Sequence, residues 1–264
     1  MANPDQLAQL QPGAYLPGAD LRGADLSGRD LRHIILREAV LSDANLDGAN
    51  LAGAELHGAN LRDASLHDTC LAGADLTTAY LSGAQLLQAD LQDAELTRAN
   101  LHRANLERAR LAGAKLTWAN LSNAVIADAD LSGANLVGAN LHGSSLPGVR
   151  LAGALYSSAT QFPAGFILPA DVSGLVPGAS LPGLSLPGVD LHGTYLAGID
   201  LGGADLTGAN LSEAILSNAD LTGANLAGAD LSNADLTDAD LTNANLEGAN
   251  LAGADFTGAT LATG

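Results

Sequence analysis

The chain has 264 residues, 47% of them apolar but only 3% aromatic, and a net charge of −18 at pH 7. Its interior is therefore built of Leu and Ala in one or two domains, and so acidic a surface argues against direct contact with nucleic acid, whose phosphates call for Lys and Arg. The single cysteine, Cys70, excludes an internal disulfide. Neither a basic start followed by an apolar run nor a long uninterrupted apolar stretch occurs, so no membrane contact and a cytoplasmic location are expected.

The first twelve residues lack any repeated pattern and are expected to cover an open N-terminal end, residues 1–12. From residue 13 to 154 a five-residue word takes over, with Leu at its centre. Centres recur every fifth residue from Leu16 to Leu151 and again from Val176 to Leu261, 46 in all, and only Ile126, Val176 and Phe256 depart from Leu. Two residues before the centre, 36 of the 46 positions are Ala. A period of five fits neither a helix nor an alternating strand. Two positions separated by one residue share a face of an extended segment, so Leu and Ala point inward together. The rest of the word turns a corner: Pro17, Pro147, Pro177, Pro182 and Pro187 are each followed by Gly, the signature of a type II turn.

Words such as "ADLSG", "ANLDG" and "ANLAG" resemble the pentapeptide-repeat family, bacterial and in particular cyanobacterial. The resemblance runs from Leu16 to Leu261 apart from one gap. It implies an all-β fold, a right-handed quadrilateral β-helix with four words per coil and about 11 coils. Charges offer a check on the 20-residue coil: Asp90, Arg110, Asp130 and Arg150 alternate in sign at that spacing, as do Glu95 with Lys115 and Arg108 with Asp128.

Residues 155–175, "LYSSATQFPAGFILPADVSGL", abandon the word and carry Tyr156, Phe162 and Phe166. Leu151 and Val176 nevertheless stay in phase, 25 residues apart. Two readings stand: an irregular coil or loop within one solenoid, or an aromatic plug closing one helix before a second begins at residue 176 and runs to 264. The C-terminal "GATLATG" shows no closing element, which leaves an end-to-end homodimer open.

No catalytic, cofactor-binding or metal site is expected. His102 and His142 share a side but lie two coils apart, about 10 Å, too far for one metal. Cys70 faces Asp90, a neighbour that does not favour a thiolate. Gly recurs for turn geometry, without the Lys and Ser or Thr of a phosphate loop. Arg29 falls on an inward position and is expected to reach out through the open first coil. Arg98, Lys115 and Trp118 form a candidate interaction surface, with Arg98 one coil below the chain's only Trp. More broadly, specificity is expected in the minority of apolar outward residues, Ile35, Val40, Tyr80, Trp118, Val125, Tyr195 and Ile215.

Charge is unevenly spread. Residues 156–264 hold 12 acids and no Lys or Arg, and Asp200, Asp220 and Asp240 stack as an acidic face. The expected function is a non-enzymatic structural or protein-interaction module, a rigid acidic solenoid that docks a protein partner. The resemblance implies an alternative, since some pentapeptide-repeat proteins mimic duplex DNA and bind DNA gyrase. The acids of residues 176–264 fall about one per 2 Å of axis, close to the charge spacing of the duplex.

Overall fold

The structure is a computed structural model that describes residues 4–169 and 173–261. The outer residues of the expected N-terminal and C-terminal segments, and 170–172 of the insert, lie outside the described residues. The chain divides into two compact units, one comprising residues 1–155 with 160–172 and the other 156–159 with 173–264.

Each unit is a right-handed, four-sided β-helix. Every side contributes one bridging residue, the one just before the Leu, and it pairs in parallel with its equivalent 20 residues on: Tyr15 with Ile35, Asn45 with Ser65, Asp205 with Asn225. Four words therefore make one coil.

The backbone bonds explain the word. In Leu21-Arg22-Gly23-Ala24, the Ala24 N–H donates to the Leu21 carbonyl, closing a turn, while Leu21 and Gly23 donate to carbonyls of Val40 and Ser42 in the next coil. The Val40 N–H donates back to Ala19. One donor per word, that of the residue after the Leu, stays outside this scheme. The Asp or Asn before the Leu accepts it: Arg22 N–H donates to Asp20 Oδ1, Ala52 to Asn50 and Thr222 to Asp220. The repeated Asp or Asn thus satisfies the N–H that the coil leaves over.

The second residue after the Leu takes a positive φ throughout, as in Gly18 at 66° and Gly178 at 72°, which with the turn bond makes type II turns. At many corners that residue is not Gly; Thr78, Arg98 and Trp118 sit at φ 56°, 58° and 58°. A side chain there costs on the order of 1–2 kcal/mol.

Inside, the Leu and Ala ladders are buried, from Leu21 to Leu141 in the first unit and from Leu191 to Leu241 in the second. A buried Leu contributes about 2 kcal/mol, so the ladder outweighs the strain of its corner. In the first unit the short helix α1 (Pro4–Leu7) meets the first coil. Leu7 and Leu10 join its core, and the Gln6 side chain accepts the Asp20 N–H at 2.9 Å. Arg29 is exposed and donates to the Leu7 carbonyl at 3.3 Å, reaching outward as its position predicts.

The repeat breaks within the insert. Asn140 bridges to Gln161, a step of 21 rather than 20, because six residues separate Leu155 from Gln161 where a word has five. The phase is thus lost inside the insert although Leu151 and Val176 match. Phe162 and Phe166 stack at 5.5 Å and pack against the first unit's core, as an aromatic plug would. In the second unit, Tyr156 and Ser157 of β1 (Leu155–Ser157) run beside β2 (Ser173–Leu175), with the Tyr156 ring over Gly174. Its last two coils pair through β3 (Asp240–Leu241) and β4 (Thr260–Leu261). In the final coil Leu251 and Leu261 are 37% and 48% exposed.

Two outcomes follow. Leu101→Ala, at a fully buried rung, lowers the unfolding free energy by about 3 kcal/mol in urea titrations. Thr78→Gly relieves a β-branched residue at φ 56° and raises it by about 1 kcal/mol, a gain that a shift in the urea midpoint reads directly.

Candidate interaction surfaces

Of the five ladder pairings expected from charge, three are present as ion pairs. Lys115 meets Glu95 at 2.5 Å, Arg110 meets Asp90 at 3.4 Å and Arg150 meets Asp130 at 2.6 Å. The pairing of Arg108 with Asp128 differs: Arg108 meets Glu107 of its own word at 3.8 Å, and the Asp128 carboxylate leans over Gly148 of the next coil. The Asp128 side chain is thus directed along the axis toward the following coil, away from Arg108 in the preceding one. Shorter-range pairs that the 20-residue spacing did not suggest also form within a word, Arg22 with Asp20 and Arg32 with Asp30. Exposed pairs of this kind contribute about 0–1 kcal/mol each.

Of the candidate trio, Arg98 and Lys115 are exposed, while Trp118 is half-buried. The benzo ring of Trp118 occupies the space where a side chain on Gly138 would stand, and its indole nitrogen is buried without an acceptor. The corner conformation throws the ring onto the next coil. Elsewhere in the same unit the Arg62 guanidinium lies over Tyr80, 4.7 Å from the ring centre.

The apolar outward residues fall into two degrees of exposure. Tyr195 is 51% exposed, Tyr80 43% and Val125 40%, whereas Ile35 and Val40 are only half-exposed or less. Tyr15 and Ile167 are exposed as well and were not singled out by sequence. The signal for Tyr15 was available, because it occupies the position before Leu16; Ile167 lies in the insert, where no period assigns a direction.

The acidic face is a true column: Asp200 bridges Asp220, and Asp220 bridges Asp240. The Ser180 hydroxyl and the Gly202 N–H hold the Asp200 carboxyl below its usual range, as the Thr242 hydroxyl and N–H do for Asp240. Asp205 and Asp255 are lowered by Thr207 and Thr257 in the same way. In the first unit the Arg22 side chain takes Asp20 down to about 2. Asp130 is also lowered: burial opposes its ionisation, but Ser132 and Arg150 prevail. Asp200 and Asp240 are therefore held ionised at neutral pH despite the stacking of like charges.

Cys70 is half-buried and bridges Asp90. Among the described residues no group of three or more His, Cys, Asp or Glu is arranged to hold a metal, and no helix is long and apolar enough to cross a membrane. An open hollow of about 320 Å³ on the first unit is lined by Ser132, Val149, Arg150, Leu151, Ala152 and Pro169.

Coils of four five-residue words, with Leu and Ala inward and Asp or Asn at each bridge, define a β-helical solenoid of the pentapeptide type. A family model described as pentapeptide repeats matches in eight copies, over residues 12–37, 39–77, 74–113, 114–153, 185–223 and 224–261. The chain belongs to the pentapeptide-repeat family. Among solved structures it is similar to HetL of the cyanobacterium Nostoc sp. strain PCC 7120, a pentapeptide repeat protein involved in heterocyst differentiation regulation (29% identity, TM-score 0.31, 98% of this chain and 96% of that one). It is also similar to QnrB1, a plasmid-mediated fluoroquinolone resistance protein, at 17% identity and TM-score 0.41, over 94% and 91% of the two chains. A pentapeptide repeat protein of the Arabidopsis thaliana thylakoid lumen shares 35% identity over 39% of this chain and 69% of its own, at TM-score 0.15. No curated protein sequence matches the chain.

The lowered carboxyls fix the sign of the pH dependence. Each releases its proton more readily in the folded state, so the stability it adds is complete above the ordinary Asp value near 4. It is lost as pH falls through the lower folded value. The thermal midpoint is expected to be flat from pH 7 to about 5 and to fall between about pH 4 and 2; a midpoint that rises on acidification contradicts the assignment.

Proposed function

We propose that the chain is a non-enzymatic structural and protein-interaction module whose units offer stiff acidic surfaces to a protein partner. One observation carries the reading. Leu and Ala fill the interior, while the outward polar groups are largely spent on the coil, with the Asp and Asn side chains tied to their own turns. What stays available outside is a fixed pattern of carboxylates and a few apolar side chains, which suits recognition better than turnover. On the first unit, Arg98, Lys115 and Trp118 remain a candidate contact. It is supported by the two exposed cations on neighbouring words and by the half-exposed indole, of the residue type that anchors interfaces.

A second reading is favoured by the charge alone. The 12 acids and absent bases of residues 156–264, with Asp200, Asp220 and Asp240 in one column, support mimicry of duplex DNA toward a gyrase or topoisomerase.

Affinity capture with the full chain from its source cells, with an inert solenoid as control, is expected to recover a defined protein; recovery of nothing above the control overturns docking. A supercoiling assay with purified gyrase separates the second reading, which fails if micromolar chain leaves the enzyme unaffected.

A further inference from the structure

A rule of contact runs through both units. The side chain just after a Leu reaches the side chain just before the Leu one coil on, 18 residues later. Arg37 meets Glu55 in this way at 2.6 Å, Arg62 covers Tyr80, and Thr207 accepts from Asn225. Through this contact the first unit places its own guanidinium groups on both an exposed acid and an exposed aromatic ring.

One column of the second unit lacks that cover. Tyr195, Ile215, Asp235 and Asp255 follow one another, each bridged to the next. The residues that would cover them, 18 positions earlier, are Pro177, Ala197, Ser217 and Thr237. Tyr195 and Ile215 are 51% and 37% exposed. Asp235 and Asp255 spend Oδ1 on the turn N–H groups of Thr237 and Thr257, and Oδ2 of each has no partner among the described residues. The first unit carries the same order of side chains, Tyr15, Ile35, Glu55 and Asp75, in one column. There Glu55 already holds Arg37. The molecule thus displays how a guanidinium seats on such a column, and residues 156–264 contain no Lys or Arg to do it.

We propose that Tyr195, Ile215, Asp235 and Asp255 form a docking strip for an extended cationic segment of a protein partner. This rests on the docking reading above and specifies its chemistry. Successive rungs are about 4.8 Å apart, so the centre of the apolar pair lies about 10 Å from the centre of the acidic pair, about the rise of three residues of extended polyproline II chain, whose threefold winding also brings side chains three residues apart onto one face. The segment that fits has a Leu, Ile or Phe, two spacers and then Arg, or the reverse order. Arg suits the site better than Lys because its planar fork can bridge two carboxylates one rung apart.

The test uses the full chain and labelled eight-residue synthetic peptides in fluorescence anisotropy. The reference peptide has Leu with Arg three residues on; a second has Glu in place of Arg, and a third Ala in place of Leu. The reference peptide is expected to bind at least tenfold more tightly than either, with affinity falling as salt rises. Asp235→Asn with Asp255→Asn should weaken it at least tenfold. So should Ser217→Arg, which supplies from within the cation that Arg37 supplies to Glu55. Asp205→Asn with Asp230→Asn removes the same charge from outside the strip and outside the Asp200 column and should change affinity less than twofold. Unchanged thermal midpoints confirm that each variant folds. Equal weakening by both Asp pairs, equal binding of the Arg and Glu peptides, or no binding at millimolar peptide overturns the strip. A protein captured by the native chain and equally by the Asp235→Asn, Asp255→Asn variant overturns the strip while leaving the docking function standing.

Discussion

The stacking of one coil on the next, 20 residues apart, is the constraint on which everything else depends. Leu and Ala face inward only while each bridge pairs with its equivalent, because a slip of one residue exchanges inside for outside. The hydrogen bonds enforce the same register, since Leu and corner donors point to one neighbouring coil and the bridge donor to the other. Residue number modulo 20 therefore fixes which side chains share a column. Recognition on such a surface is decided by sequence spacing as much as by side-chain identity.

The corners show how much local cost this order absorbs. The position needing positive φ is held by Gly in many words but by Thr, Arg, Trp and acids in others. Tertiary packing overrides local preference because each corner is clamped by bonds to a neighbouring coil and by the buried Leu beside it. The geometry also sets a rule between coils: His33, Asp63, Trp118 and Asn123 lean along the axis over Gly53, Gly83, Gly138 and Gly143. A Gly twenty residues after a bulky corner is thus room for that corner's side chain as well as a turn residue. For Trp118 the consequence is that the ring is half withdrawn from solvent against its neighbour.

The two units treat charge differently on the same scaffold. In the first, arginines after the Leu neutralise acids or cover an aromatic ring in the next coil. In the second, the corresponding positions are small or polar, and carboxylates are held ionised by their own turns through hydroxyl and amide donors. The first surface is largely self-complementary, and the second presents unanswered negative charge beside exposed apolar groups. That contrast, more than net charge, is what motivates the proposal of a cationic partner for the second unit.

The sequence by itself determined the inward ladders, the type II corners and, with the 20-residue coil that the family resemblance implies, the salt-bridged columns of Glu95, Asp90 and Asp130, because a strict period turns linear spacing into spatial proximity. It also marked Tyr195 and Ile215 as outward. Only the tertiary structure decided how the coils step through the insert and where side chains bend along the axis. The insert's step of 21, the packing of Phe162 and Phe166 on the first core, the folding of Trp118 onto Gly138 and the diversion of Asp128 from Arg108 all belong to this class. Spacing fixes which Cα atoms stack, but the direction of a side chain is set by backbone conformation and by the room the next coil leaves for it.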